Sequence, residues 1–317
     1  MMKIAHAKAA MTAQGNKNGY VHGLMLLTIL LIASSFPVAA TITHALPPAV
    51  MMFVRFLLAA LLFSPFVLVR NGISLPSLRS SINYIVISIP LVVFFWCMFK
   101  SLRYTSLLNT GALFTMVPTI TAVLAIIINK DTITRIRALG IFIGTLGAVW
   151  IVFRGDWQAL MNLDLNYGDF VFMIGCLFLG LYNALIKRLY RNEPMELMTF
   201  WVLCWGSLWF LVLCWQDMAS IDWVGVELNV YAGIAYLSLF TTLTTFFLLQ
   251  FSIVRIGATK VSAYNFLTPV FVILLGIILG MEQFIPITLP GILLVVSAML
   301  LIQWEKDSKP AQRKQSV

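Results

Sequence analysis

The chain has 317 residues, of which 61% are hydrophobic and only 10% charged, with a net charge of +9. Soluble domains carry about 25% charge, so a chain this apolar cannot keep a polar exterior in water and is read as an integral membrane protein. Its basic residues are scattered over short connecting segments, which points to membrane orientation rather than to a nucleic-acid partner.

A helix of about 20 apolar residues crosses the hydrocarbon core. Residues 1–19 form a polar tail with Lys3, Lys8 and Lys17. The first apolar run, 20–40, exceeds the ~7–15 residues of a signal-peptide core and is kept as a first span. Further spans follow at about 48–69, 82–102, 107–129, 136–153, 168–189, 195–215, 228–250, 258–280 and 286–304. Pro47-Pro48 opens the second, and Asn71-Gly72 with Pro76 closes it. A linker covers 154–167 and a basic tail 305–317. The fold class predicted is an all-α membrane protein with ten transmembrane helices.

Orientation follows from the basic residues. With the first residue in the cytoplasm, only Lys100, Arg103 and Arg154 fall on the outer side and Arg55 within a helix; every other lysine and arginine is cytoplasmic. Such a bias sets topology, so both termini are expected in the cytoplasm and the chain in the plasma membrane, a bacterial inner membrane.

The stretch Gly257–Glu282 has Pro269 thirteen residues before its terminal acid, Glu282. At an offset of 151 residues, Ser106–Asp131 has Pro118 thirteen before Asp131, and Gly140 matches Gly291. This register marks an internal duplication into 20–153 and 168–304. Five spans per half is an odd number, so the halves are inverted repeats. That geometry suits two states open to opposite sides, hence alternating access.

The segment IGATKVSAYNFLTPVFVILLGIILGME resembles the signature of EamA-type carriers of the drug/metabolite transporter superfamily. RYTSLLNTGALFTMVP is similar to the matching stretch of the first repeat, and FVRFLLAALLF to that family's second helix. The first repeat departs from the pattern, ending Asn129-Lys130-Asp131 in place of Gly-x-Glu. The resemblance runs from about Tyr20 to Gln303 in two copies. It implies ten helices around a central cavity, and export or exchange of a small metabolite: an amino acid, a nucleobase or nucleoside, or an amphipathic drug.

Arg55 lies roughly 12 Å into its helix at 1.5 Å per residue. A cation at that depth serves function or bonds backbone carbonyls and polar neighbours to hold the fold. No carboxylate lies deep in a helix to pair with it, since Asp131, Asp169, Glu227 and Glu282 all sit near helix ends. Facilitated exchange, or coupling through a helix-end acid, is therefore expected. Polar and aromatic residues within spans are expected to bind substrate: Ser35, Trp96, Tyr182, Asn183, Thr245, Tyr264 and Asn265. Threonines 241–245 could instead bond their own helix. Arg55, Pro37, Pro118, Pro269 and Glu282 are assigned to gating or structure. Prolines remove a backbone hydrogen bond and let helices bend.

The competing readings are an intramembrane lipid-modifying enzyme and a non-transporting membrane subunit. No HExxH, GxSxG or acid pair within a helix supports catalysis, so no enzyme, cofactor or metal is expected. The four cysteines lie in apolar runs without a CxxC pattern. The small-molecule substrate and the lipid bilayer are the partners expected, with a monomer favoured over a dimer.

Overall fold

The computed structural model describes all residues except 1, 43, 73–74, 106, 163–164, 281–284 and 305–317. Glu282 and the basic tail therefore lie outside the described residues. Among the described residues the α-helices in chain order are α1 (Met2–Ile42), α2 (Pro48–Asn71), α3 (Leu78–Ser101), α4 (Leu107–Phe114), α5 (Val117–Asn129), α6 (Arg135–Val152), the short α7 (Trp157–Met161), α8 (Tyr167–Leu189), α9 (Met195–Met218), α10 (Leu228–Ser238), α11 (Thr245–Ile256), α12 (Ala258–Ala263), α13 (Thr268–Ile278) and α14 (Leu289–Trp304). A π-turn, Leu239–Thr244, joins α10 to α11, and a 3₁₀ turn, Tyr264–Leu267, joins α12 to α13. Among the described residues, nine helical segments are long and apolar enough to cross a membrane, and Val117–Asn129 is a shorter apolar helix. No strand occurs among them.

Local chemistry sets the helix ends. Pro48 starts α2, where a missing N–H costs nothing. Asn166 and Asp169 cap α8 reciprocally through side chain and backbone. Gly257, at φ 88°, turns α11 sharply into α12 in a conformation that favours glycine.

Two spans expected to be continuous are broken. The fourth splits at Thr115–Met116 and the ninth passes through the 3₁₀ turn. In both, the proline sits in the first turn of the new piece, α5 or α13. Pro118 and Pro269 thus begin helices, whereas Pro37 and Pro90 lie inside α1 and α3.

The halves pack around a pseudo-twofold axis. The second spans of each half, α2 and α9, meet, and so do the fifth spans, α6 and α14. α3 packs on α8, while its counterpart α10–α11 packs on α1. The α6–α14 seam depends on glycine: a Cβ on Gly147 would lie 2.8 Å from the Gly291 carbonyl oxygen, and one on Gly291 2.8 Å from that of Gly147. Gly140 and Gly144 also face α14, at Ala298, so the Gly140–Gly144 pair serves packing within the chain.

The halves run in opposite directions. α1 ends near Leu46, whose carbonyl accepts from Arg103 after α3. α8 begins there too, since Gly168 abuts Ser101 and Thr105. α1 therefore finishes where α8 starts. The bundle has one end with residues 44–47 and 102–105, called here the linker end. The other, the terminal end, has residue 20 and residue 304. Large apolar side chains such as Leu61, Ile127 and Val212 face outward. Polar ones such as Asn183, Gln250 and Thr242 are buried inside. This is the distribution that a lipid solvent demands.

Candidate functional site

A cavity of about 280 Å³ lies between the halves. Its wall draws on α1, α2, α3 and α4 from the first half and on α8, the π-turn, α11 and the 3₁₀ turn from the second. It reaches His44 and Thr105 at the linker end and extends down to Asn183 and Asn265. Six phenylalanines, Phe94, Phe95, Phe99, Phe114, Phe172 and Phe246, make most of the surface apolar.

Arg55 is the charged centre of this wall. It is 3% exposed and comes from α2. Its Nη2 donates to Thr241 Oγ1 at 2.9 Å and to the Thr241 carbonyl oxygen at 3.2 Å; Nε donates to Thr242 Oγ1. Its guanidinium carbon lies 5.2 Å from the centre of the Phe95 ring, over its face. Among the described residues no carboxylate pairs with it. The π-turn is what presents this binding surface. The other hydroxyls there bond back to their own helix, Thr245 to the Thr241 carbonyl at 2.8 Å and Thr244 to that of Leu239 at 2.9 Å. The threonine cluster therefore both glues its helix and receives a cation from the other half.

Tyr182 is held by a buried relay. Its hydroxyl accepts from Gln250 Nε2 at 3.0 Å, and Gln250 Oε1 accepts from Thr199 at 2.8 Å. One residue on, Asn183 Nδ2 donates to Thr121 at 3.3 Å, while its Oδ1 is buried without a partner. Tyr264 turns away from the cavity, and its hydroxyl meets His22 Nδ1 at 2.6 Å.

The two ends are closed to different degrees. At the terminal end Lys187 bonds both oxygens of Asp131 at 2.8 Å. Asn129 donates to the Ala184 carbonyl at 3.1 Å, and Gln303 to that of Lys260 at 3.0 Å. With His22–Tyr264, these ties seal the bundle below Asn265. At the linker end the cavity reaches exposed His44. Two ties among the described residues link the halves there: Asp169, fully buried, accepts from Thr105, from Asn109 at 3.0 Å and, within its own half, from the Asn166 amide at 2.9 Å, and Trp150 donates to the Ile287 carbonyl at 2.8 Å.

Of the residues singled out from the sequence, Ser35, Arg55, Tyr182, Asn183, Thr245 and Asn265 line one cavity. Tyr264 is buried beside it. Trp96 is 37% exposed and does not line it. Sequence reasoning passed over Asp169 as a helix-end acid. The Asn166-x-x-Asp169 spacing signals its cap, but nothing local signals its bonds to Thr105 and Asn109. The phenylalanine wall has no sequence signal either, because apolar residues abound on every face. Among the described residues no group of three metal-ligating side chains occurs.

The profile of the EamA-like transporter family matches residues 20–153 and again 166–304. The chain is similar to an uncharacterized transporter, YyaM, of Bacillus subtilis, with 27% identity over 228 residues that cover 71% of this chain and 75% of that protein. An uncharacterized transporter of Archaeoglobus fulgidus is 23% identical over 255 residues, covering 80% of this chain and 87% of its own length. A crystal structure with 13% identity covers 90% of this chain and 98% of that one at a TM-score of 0.73, a likeness of fold alone.

Proposed function

The chain belongs to the EamA-like transporter family, and we propose that it is a secondary carrier that exports or exchanges a small metabolite by alternating access. The observation that carries this is the cavity itself. It lies between two oppositely directed halves, takes wall residues from both, reaches one end of the bundle and is tied shut at the other. Rocking the halves would break His22–Tyr264 and Lys187–Asp131 and draw the linker end together around Thr105 and Asp169. The moving units are 20–153 and 168–304.

The bias of basic residues supports cytoplasmic termini in a bacterial inner membrane. On that orientation the cavity faces outward. The buried glycine seam between α6 and α14 supports a monomer as the working unit, because the close-packing surface is used within the chain. The family name and those of the relatives point to transport rather than catalysis.

The test compares metabolites accumulating outside cells that overexpress the protein with those from cells expressing Asn265→Ala at equal membrane abundance. At least one small metabolite should accumulate with the native chain and less with the variant. Identical profiles from the native chain and from empty membranes would reject the carrier.

A further inference from the structure

Arg55 leaves part of its hydrogen-bonding capacity unused. A guanidinium has five N–H donors. Nε and Nη2 account for the three bonds to Thr241 and Thr242, and among the described residues no acceptor meets Nη1. The side chain is 3% exposed and lines the cavity. A buried guanidinium without a counter-charge is costly; the bonds to Thr241 and Thr242 and the Phe95 ring offset part of that cost, and an arriving anion would offset more. Among the described residues no aspartate or glutamate lines the cavity. The wall therefore has a cation in place, and the missing anion is free to arrive with the solute.

Two further features describe the rest of that solute. Phenylalanines share the cavity wall with Arg55, and Phe95 lies against the guanidinium itself. An apolar or aromatic body fits there. The volume of about 280 Å³ is at the small end of ligand pockets, which run from about 300 Å³ upward.

We propose that Arg55 is the anchor for a substrate carboxylate, and that the carried solute is a compact amphipathic carboxylic acid with an apolar or aromatic body. This rests on the carrier reading and narrows its substrate class. It disfavours cationic amphipathic drugs and neutral nucleosides. The two N–H groups of Nη1 make charge-assisted bonds to the carboxylate, stronger than those a neutral amide could accept. Thr241 and Thr242 act as positioning residues, holding the guanidinium through Nε and Nη2 so that Nη1 stays available.

The test uses three probes with one apolar body: 3-phenylpropionate, 3-phenylpropionamide and 3-phenylpropylamine. Binding to the full chain in lipid nanodiscs is measured by calorimetry, with empty nanodiscs subtracted. The carboxylate should bind at least about tenfold more tightly than the amide, and the amine more weakly still. This comparison needs no variant, so it survives any folding defect. In Arg55→Gln the carboxylate advantage should vanish, and in Arg55→Lys it should persist at reduced strength, because a point charge replaces the planar fork. Equal binding of carboxylate and amide, preference for the amine, or no binding of any probe at about 10 mM overturns the proposal. So does a carboxylate preference that persists in folded Arg55→Gln. Binding is read without transport, which separates the two readings. A binding preference with no flux in sealed vesicles rejects the carrier and leaves the anchor. Flux of a neutral or cationic solute that is indifferent to Arg55 rejects the anchor and leaves the carrier.

Discussion

The fourth and ninth spans share a geometry and differ in chemistry. α4 and α12 begin 151 residues apart, and so do α5 and α13. Each span breaks just before its proline, at the same point of the repeat. Yet the break faces the cavity with Phe114 in the first half and with Asn265 in the second. The first turns differ as well. Asn109 of α4 is bound by the buried carboxylate of Asp169, whereas at the matching place in α12 the Lys260 carbonyl is bound by Gln303 of α14. Backbone requirements at the proline have been kept in both copies, while the side chains that meet the cavity and seal the ends have diverged. The duplicated frame is therefore matched in its backbone while the cavity is chemically lopsided, with the cation on the first half and the amides Asn183 and Asn265 on the second.

Making the ninth span copy the fourth should break the function. Asn265→Phe puts a ring into a space of about 280 Å³. Flux in vesicles is expected to fall at least ~100-fold, about 2.7 kcal/mol in rate terms. Gel-filtration behaviour should stay near native. Native-level flux from this variant would remove Asn265 from the cavity wall that matters.

The asymmetry between the ends predicts a different kind of loss. Asp169→Ala removes the buried acceptor that serves Thr105, Asn109 and the Asn166 amide. At about 1–3 kcal/mol for an orphaned buried group, the expected result is a clear fall in thermal stability in detergent. Asp169→Asn keeps one acceptor oxygen and should fall less. Equal stability of all three proteins would mean that the tie contributes nothing.

The smallest effect is expected at the terminal end. Tyr264→Phe removes only the bond to His22. About 1 kcal/mol should be lost from the closed arrangement there. A cysteine at position 22 or 264 is not suitable as a probe, because it destroys the same contact. Labelling a cysteine placed at Ser262 should instead become faster in the Phe variant. An unchanged labelling rate would sharpen the comparison differently, placing the seal in Lys187–Asp131 and Asn129–Ala184.

Much of the frame could be read in advance. Ten apolar segments, their doubling and the offset of 151 residues follow from hydropathy and from proline and glycine positions. The polar residues Ser35, Tyr182, Asn183 and Asn265 stood out because polar groups in lipid need a partner inside the protein. The breaks at Thr115–Met116 and Tyr264–Leu267 were not legible, since a polar residue and a proline within a span fit a continuous bent helix as well as a broken one. Nor was the π-turn, whose threonines read equally well as ordinary helix. Trp96 drew attention as an aromatic in a span, but an aromatic gives no sign of which face of α3 it occupies.

By itself the sequence determined that this chain lives in a bilayer, that it is two copies of one five-span unit, and that the copies point opposite ways. Those properties are sums over local composition, and no distant contact is needed to fix them. Only the tertiary structure decided that Arg55 of the second span meets Thr241 and Thr242 of the eighth, and that Asp169 meets Thr105 and Asn109. It also decided that one cavity collects side chains from both halves. These pairings join residues 60 to 187 positions apart, and in lipid their partners are chosen by packing and hydrogen-bond satisfaction rather than by any pattern along the chain.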